Sequence, residues 1–584
     1  MRFLVLTLLV GCGSSSDSES EDVGVTSELT ELRVDPADIQ LSTDGESADE
    51  IQFTAYAVTE TGEEVPTDMV SWSVSNLSAG SIDNAGLFTT STLNGGITTV
   101  TATHVGVEAS ATVTVVYAQD QVIGELSGDI VAAFASASPT ESDAPAIYYP
   151  PEAVTVPRNL NGLAFGWTEA SSTNVSQLRL RSGITDMRVF TEGSIWDTTA
   201  DIWATIAASN TEGLVEISIS SGSWDGSNLT NVVKGPDTSL TVNRLDARGS
   251  VLYWEPVSTI RGDIMRIPFG ALEAEPFWTA DNVGTSSTDP SNCMGCHSLS
   301  EANDQLIVTH NGAGGQFTIV DISDPDNPEI ERYKPGNASF HTSSPDGRYL
   351  LGVYEGEARL HSLSDGDLYQ TVNTGPGLVS HPDWAPDGES VVLVRYQHPG
   401  FGVVSDDNFR EGEIIQLSWD GSNFGDPEVL VASDSERNNY YPAYSPDGDY
   451  IVFNRNSPRT WSRPDPDAPP ESESTSCLAH PAAELWLMTR SGEHLTRLDA
   501  ANGEGDLQNS YPKWGPLPDD DVLWLAFSST RSYAIDPNGG TPQVWVSAID
   551  PAKILDGEDP SAAAFWLPAQ NPTTDNHAAI WWSK

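Results

Sequence analysis

Three segments in the C-terminal half of the chain carry the same turn: Ser344-Pro345-Asp346-Gly347, Ala385-Pro386-Asp387-Gly388 and Ser445-Pro446-Asp447-Gly448. In each, Pro presets φ, Asp accepts local backbone N–H bonds and Gly supplies φ > 0. An apolar strand follows every time: Tyr349-Leu350-Leu351-Gly352-Val353, Val391-Val392-Leu393-Val394 and Tyr450-Ile451-Val452-Phe453. A short polar-aromatic strand end precedes, as in His381-Pro382-Asp383-Trp384. A fourth copy, Tyr511-Pro512-Lys513-Trp514-Gly515-Pro516, degenerates after its proline. Self-similarity of this kind fixes an architecture of repeated small sheets.

The motifs resemble those of the TolB-type, WD40-like β-propeller, in which each blade is a four-stranded sheet radiating from a channel. The resemblance covers residues 245–584. Upstream strands (Val251-Leu252-Tyr253-Trp254 and Ile264-Met265-Arg266-Ile267) and the C-terminal Ala579-Ile580-Trp581-Trp582 bring the expected count to about six blades. The two chain ends would share one blade and close the ring without a free sheet edge. Uneven intervals predict insertions, the largest being the Pro-rich stretch Arg459 to Ala479, which contains Cys477.

Within this region stand Cys293-Met294-Gly295-Cys296-His297. Two thiols three apart, with a histidine directly after the second, form the attachment signature of a c-type haem. Each thiol can form a thioether with one haem vinyl group, and the imidazole then reaches the iron as proximal ligand. A zinc site would need two further ligands, and the chain has no second Cys-x-x-Cys pair. A Cys293–Cys296 redox disulfide is the main rival, and it leaves His297 unexplained. The cofactor expectation is therefore one covalent haem c. The many Asp-rich turns do not establish bound calcium.

The repeat also gives the motif a phase. Ser300 to Val308 aligns without gaps on Ser445 to Phe453. Cys296 then takes the position of His381, Tyr441 and Tyr511, and His297 that of His341, Pro382, Pro442 and Pro512. Equivalent positions in a propeller form a ring near the channel mouth, where the haem is expected. The candidate sixth ligands are His341, the phase equivalent in the next blade, then His381, then His577 near the ring closure. His310, His361, His398, His480 and His494 fall off the repeat position or in expected loops. Met265 and Met488 sit in strand contexts and read as core.

The rest of the chain is organised around export. Arg2 precedes an apolar run, Phe3 to Val10, too short to span a bilayer and consistent with a brief secretory signal. Leu9-Val10-Gly11-Cys12 resembles the bacterial lipobox, which implies diacylglycerol on Cys12, and the absence of Asp after it implies outer-membrane sorting. Residues 1–12 are thus a signal with lipobox and residues 13–27 a polar tether. Residues 28–117 alternate apolar and polar positions in short strands, with Trp72 as the expected core anchor. The segment resembles the group 2 bacterial immunoglobulin-like domain, with Asp83-Asn84-Ala85-Gly86-Leu87 matching its late turn. Residues 140–235 resemble a fibronectin type III or related sandwich whose tryptophans read as core. The fold class is all-β: two sandwiches, then a propeller.

Lys and Arg number 27 against 84 Asp and Glu, for a net charge of -57. Such a surface repels nucleic acid and anionic headgroups, which leaves the lipid anchor as the only membrane contact. Three functions remain open. The first is a membrane-anchored electron-transfer protein of the cell envelope with a basic redox partner. The second is a haem enzyme with an open iron position, for which no catalytic residues are assigned. The third is a scaffold binding a protein or polysaccharide, with haem accessory or absent. A serine hydrolase is disfavoured, because no Gly-x-Ser-x-Gly elbow is present.

Overall fold

The computed structural model describes residues 31–58, 62–258, 261–283, 294–310, 315–399, 409–435, 437–456, 477, 480–516 and 522–584. Cys12, Cys293 and most of the insertion from Arg459 to Ala479 therefore lie outside the described residues. The chain is almost all β and divides into two compact units.

The first unit comprises residues up to 41, 48–91 and 97–115. Alternation along its strands sends Leu32, Val34, Phe53, Phe88, Val100 and Val113 into one core. Phe53 and Phe88 meet edge to face, with centroids 6.4 Å apart. Trp72 does not anchor this core. Its strand, Ser71–Val74, is an edge that pairs only with Gly96–His104, so the indole is half-buried against Phe53.

The second unit holds residues 116–584 together with two short pieces, 42–47 and 92–96. Its N-terminal part contains a sheet of Val175–Arg181, Thr185–Thr191, Leu214–Trp224, Thr238–Val242 and Val154–Val156, faced by a small sheet of Ile147–Tyr149, Ala164–Trp167 and Ile195–Asp197. Trp167, Trp196 and Trp203 are buried, as expected of core. Two features exceed the fibronectin resemblance: the pairing of Val154–Val156 with Thr238–Val242 is parallel, and helices span Asp129–Ser136 and Ala200–Ser209. This part also shares one continuous apolar core with the C-terminal sheets. Tyr149 Oη accepts from the Trp566 N–H at 3.1 Å, and Tyr148 Oη donates to the Ala534 carbonyl at 3.2 Å.

Six four-stranded antiparallel sheets follow, here blades 1 to 6. Their innermost strands are His577–Trp582, Met294–Ser300, Phe340–Ser343, Leu378–Trp384, Asn439–Tyr444 and Ser510–Trp514. Blade 1 takes its inner strand from the C-terminus and its other three from residues 250–278, with Val251 opposite Trp581. The ring is thus closed by backbone hydrogen bonds between distant parts of the chain.

The repeated turns have one geometry. Gly347, Gly388 and Gly448 adopt φ of 68°, 75° and 79°, and each N–H donates to the carbonyl three residues back. Blade 2 replaces this turn with a short 3-10 stretch, Glu301–Asn303, closed by Asp304 at φ 51°. The register survives the replacement: Leu299 opposes Leu306 as Tyr444 opposes Ile451.

Candidate functional site

Five of the six inner strands carry a β-bulge, at one repeat position in blades 1, 4, 5 and 6 and one residue earlier in blade 2. In blade 2 the pairing steps from Met294–His310 to His297–Val308, three residues against two. The same step occurs at Ser380/Asp383, Tyr440/Ala443, Ser510/Lys513 and, in blade 1, between His577 and Ile580. One extra residue bends the strand and re-aims its side chains. His381, Tyr441, Tyr511 and Ala578 take the left-handed conformation at these bulges, with φ of 48°, 50°, 61° and 55°. Consecutive inner-strand residues line one cavity in blade 2, Cys296 and His297, as they do in the unbulged blade 3, Phe340 and His341.

Equivalent residues of successive blades meet around the axis. Phe340 and His381 have centroids 4.4 Å apart, His381 and Tyr441 4.0 Å, and Tyr441 and Tyr511 4.4 Å. Cys296, Phe340, Tyr441, Tyr511 and Ala578 share one apolar cluster. Phe340 is the blade 3 member of this ring; it stands beside His341 in the alignment that placed Cys296, so that same phase could have found it.

Beside the ring lies a cavity of about 170 Å³. Cys296, His297, His341 and His381 line it, together with Asp383 and Lys513. Three histidines of the sequence-derived set therefore converge. His577 does not: it is absent from the cavity wall and tilts against Trp254, centroids 4.6 Å apart, with Nδ1 3.0 Å from Asp575 Oδ1. Trp254 in turn donates from Nε1 to the Met294 carbonyl at 2.7 Å, fixing the backbone of the thiol motif.

The three cavity imidazoles are nearly sealed from solvent, at 6% exposure for His297, 8% for His341 and 4% for His381. Each has a buried Nε2 with no hydrogen-bond partner. Burial lowers His297 to about 4, partly opposed by the carbonyls of Gly295 and Leu252. Burial, reinforced by nearby His297, lowers His341 to about 3. Burial and nearby Lys513 hold His381 well below its ordinary value. All three are neutral at pH 7, the form in which imidazole binds a metal.

Their Nδ1 atoms differ. His297 Nδ1 lies 3.5 Å from the Gly295 carbonyl and His341 Nδ1 lies 2.6 Å from Ser298 Oγ, whereas His381 Nδ1 accepts the Tyr441 N–H at 3.4 Å. Lys513 pairs with Asp383 at 2.9 Å, bridging blades 6 and 4, while Asp383 Oδ2 accepts the Tyr444 N–H of blade 5. Neither Ser298 nor this bridge carries a local sequence signal; both depend on contacts between blades. No cluster of three or more metal-ligating side chains forms among the described residues.

His310 and His361 are not loop residues. They sit buried in Gln305–His310 and Glu357–Ser362, where they contact Thr318 Oγ1 at 2.8 Å and the Gly366 carbonyl at 3.2 Å. Met488 is core, as its strand context implied.

No family model matches the chain. An uncharacterized peptidase, YuxL, of Bacillus subtilis (strain 168) is 28% identical over 143 residues, covering 20% of this chain. The match spans only 22% of that relative's length. A TolB structure from Agrobacterium tumefaciens is 17% identical over 57% of this chain and 99% of its own, with a TM-score of 0.32. The dihydro-heme d1 dehydrogenase NirN, solved in complex with DHE, is 15% identical over 51% of each chain, with a TM-score of 0.29. These are distant likenesses, and the propeller architecture rests on the six sheets themselves.

Proposed function

We propose that this chain is an exported, lipid-anchored c-type haem protein of the bacterial cell envelope, whose propeller presents one haem for electron transfer. Cys293 and Cys296 would hold the haem covalently and His297 would bind its iron. One observation carries the reading: next to Cys296, the His297 Nε2 is buried without a hydrogen-bond partner. Its Nδ1 lies 3.5 Å from the Gly295 carbonyl, which can only accept, so a proton on Nδ1 would leave the lone pair on Nε2. A buried polar atom left unpaired costs about 1–3 kcal/mol, a cost that ligation removes.

The donor chemistry fits the group. The cavity of about 170 Å³ is below the roughly 300–1,000 Å³ that encloses a whole organic ligand, so a macrocycle would extend beyond the described walls. When bound, the group supplies a one-electron iron couple. The chain's own contribution is to seal His297 from solvent, keep it neutral and orient it through Gly295. The acidic surface, with net charge -57, favours a basic redox partner. Lipid on Cys12 would tether the whole at the outer membrane.

The test is a pyridine haemochrome spectrum of the full chain made in a host that attaches c-type haem. A c-type spectrum, abolished by Cys293→Ser with Cys296→Ser, is expected; a colourless wild type overturns the proposal. The aromatic wall formed by Phe340, Tyr441, Tyr511 and Trp514 favours a second reading, a scaffold that binds a small ligand there without haem.

A further inference from the structure

The cavity that holds Cys296 and His297 is lined by the inner strands of all six blades. On one side the Phe340, His381, Tyr441 and Tyr511 rings stand 4.0–4.4 Å apart in an apolar cluster. Two residues further along each inner strand comes a second level: Ser298, Thr342, Asp383, Ala443, Lys513 and Ile580, one from each blade. Asp383, Ala443 and Lys513 occupy the same place in their strands, directly after the bulge, opposite Val392, Val452 and Ala526. Asp383 and Lys513 are the only carboxylate and ammonium on the cavity wall among the described residues.

Lys513 does not pair with a neighbouring blade. Its Nζ donates to Asp383 Oδ1 at 2.9 Å, from blade 6 to blade 4, and so passes over blade 5. Blade 5 presents Ala443 at this level, a methyl group with no polar atom to divert the ammonium. The anchors on either side are fixed. Asp383 Oδ2 accepts the Tyr444 N–H at 2.8 Å, and Trp514, next to Lys513, donates from Nε1 to the Ala443 carbonyl at 3.1 Å. The Lys513 and Asp383 side chains are 28% and 16% exposed, so the pair is screened less than a surface ion pair.

We infer that the Lys513–Asp383 pair is a strap across the channel mouth that limits entry to the compartment holding Cys296 and His297. An ammonium on a flexible four-carbon stem swings aside by side-chain rotation alone, so the strap opens while the blades stay paired. The inference goes beyond the haem reading and stands without it, because it concerns access to a thiol of the chain itself.

The test follows alkylation of Cys296 by iodoacetamide, a small uncharged reagent, in the reduced, haem-free full chain, read by mass spectrometry of the peptide that contains it. Lys513→Met and Asp383→Asn are each expected to react about 10–100-fold faster than wild type, the equilibrium weight of one charge-assisted hydrogen bond. Lys513→Arg keeps an ion-pairing head and is expected to stay near the wild-type rate. Arg395→Met breaks a pair of similar burial, 12% and 17% exposed, on the middle strands of blade 4 away from the cavity wall, and is expected to leave the rate unchanged. Equal rates in wild type, Lys513→Met and Asp383→Asn overturn the inference. So does an equal acceleration by Arg395→Met, which would mean general loosening. If the variants do not fold, the wild type decides: alkylation is expected to rise several-fold from about 0.01 M to about 1 M salt, as the screening length falls from about 30 Å to about 3 Å, and a flat rate overturns the strap. The haemochrome assay reports on the haem reading separately.

Discussion

Blades 2 and 5 share a register beyond a bulge that falls one residue earlier in blade 2, and they fill the bulged stretch differently. Blade 5 places Tyr440-Tyr441-Pro442 where blade 2 places Gly295-Cys296-His297. In blade 5 the tyrosine rings complete an apolar cluster around the axis. In blade 2 a small residue, a thiol and an imidazole leave space and an unpaired nitrogen. The backbone device is structural and repeated. The chemistry comes from three substitutions on it.

Four experiments bear on that contrast. The largest effect is expected from Tyr440→Ala in blade 5, since deleting a fully buried aromatic ring costs about 3–5 kcal/mol. Urea denaturation measures it, and a loss below about 1 kcal/mol would mean the ring is not packed as described.

The counterpart in blade 2 is His297→Leu in the haem-free chain. Removing an unpaired buried nitrogen and keeping an apolar side chain is expected to be neutral or stabilising by about 1 kcal/mol. A loss as large as that for Tyr440→Ala would erase the distinction between the two strands.

The same variant sharpens the contrast through pH. Burial holds the folded His297 at about 4, against 6.5 for a free histidine. Between these values the unfolded chain binds the proton and the folded chain does not, so folding stability falls on acidification from pH 6.5 toward about 4. The contribution of one such histidine is at most about 1.4 kcal/mol per pH unit. Wild type and His297→Leu are expected to diverge over this window in denaturation at stepped pH, and parallel curves would contradict a buried neutral His297.

The smallest effect concerns the turns. Gly347→Ala forces a Cβ into a left-handed conformation and toward the Asn303 side chain, at an expected cost of about 1 kcal/mol. The thermal midpoint reports it. Blade 2 closes its turn with Asp304 instead, so an unaffected Gly347→Ala would show that both blades tolerate side chains there.

Much of this was legible from local signals. Pro-Asp-Gly turns fix their own geometry, and apolar strands follow them at constant spacing, so the repeat and its phase could be read directly. Counting from Ser300 against Ser445 aligned the two segments without gaps, and in the structure Leu299 opposes Leu306 as Tyr444 opposes Ile451. The same phase placed Cys296 with His381, Tyr441 and Tyr511, and those positions line one cavity. The illegible parts all depend on residues remote in sequence. Trp72 looked like a core anchor because alternation says which face is buried without saying which strand is the edge. The region around residues 140–235 looked free-standing because its core partners, such as Trp566, lie hundreds of residues away.

The sequence by itself determined the repeated sheets, the pairing phase and the adjacency of thiols and imidazole, because turns and strand alternation act over a few residues. Only the tertiary structure decided that Cys296 and His297 line one wall, that Phe340 completes the ring and that Ser298 faces His341. These follow from how six separate strands pack around one axis, a relation no short stretch of chain contains.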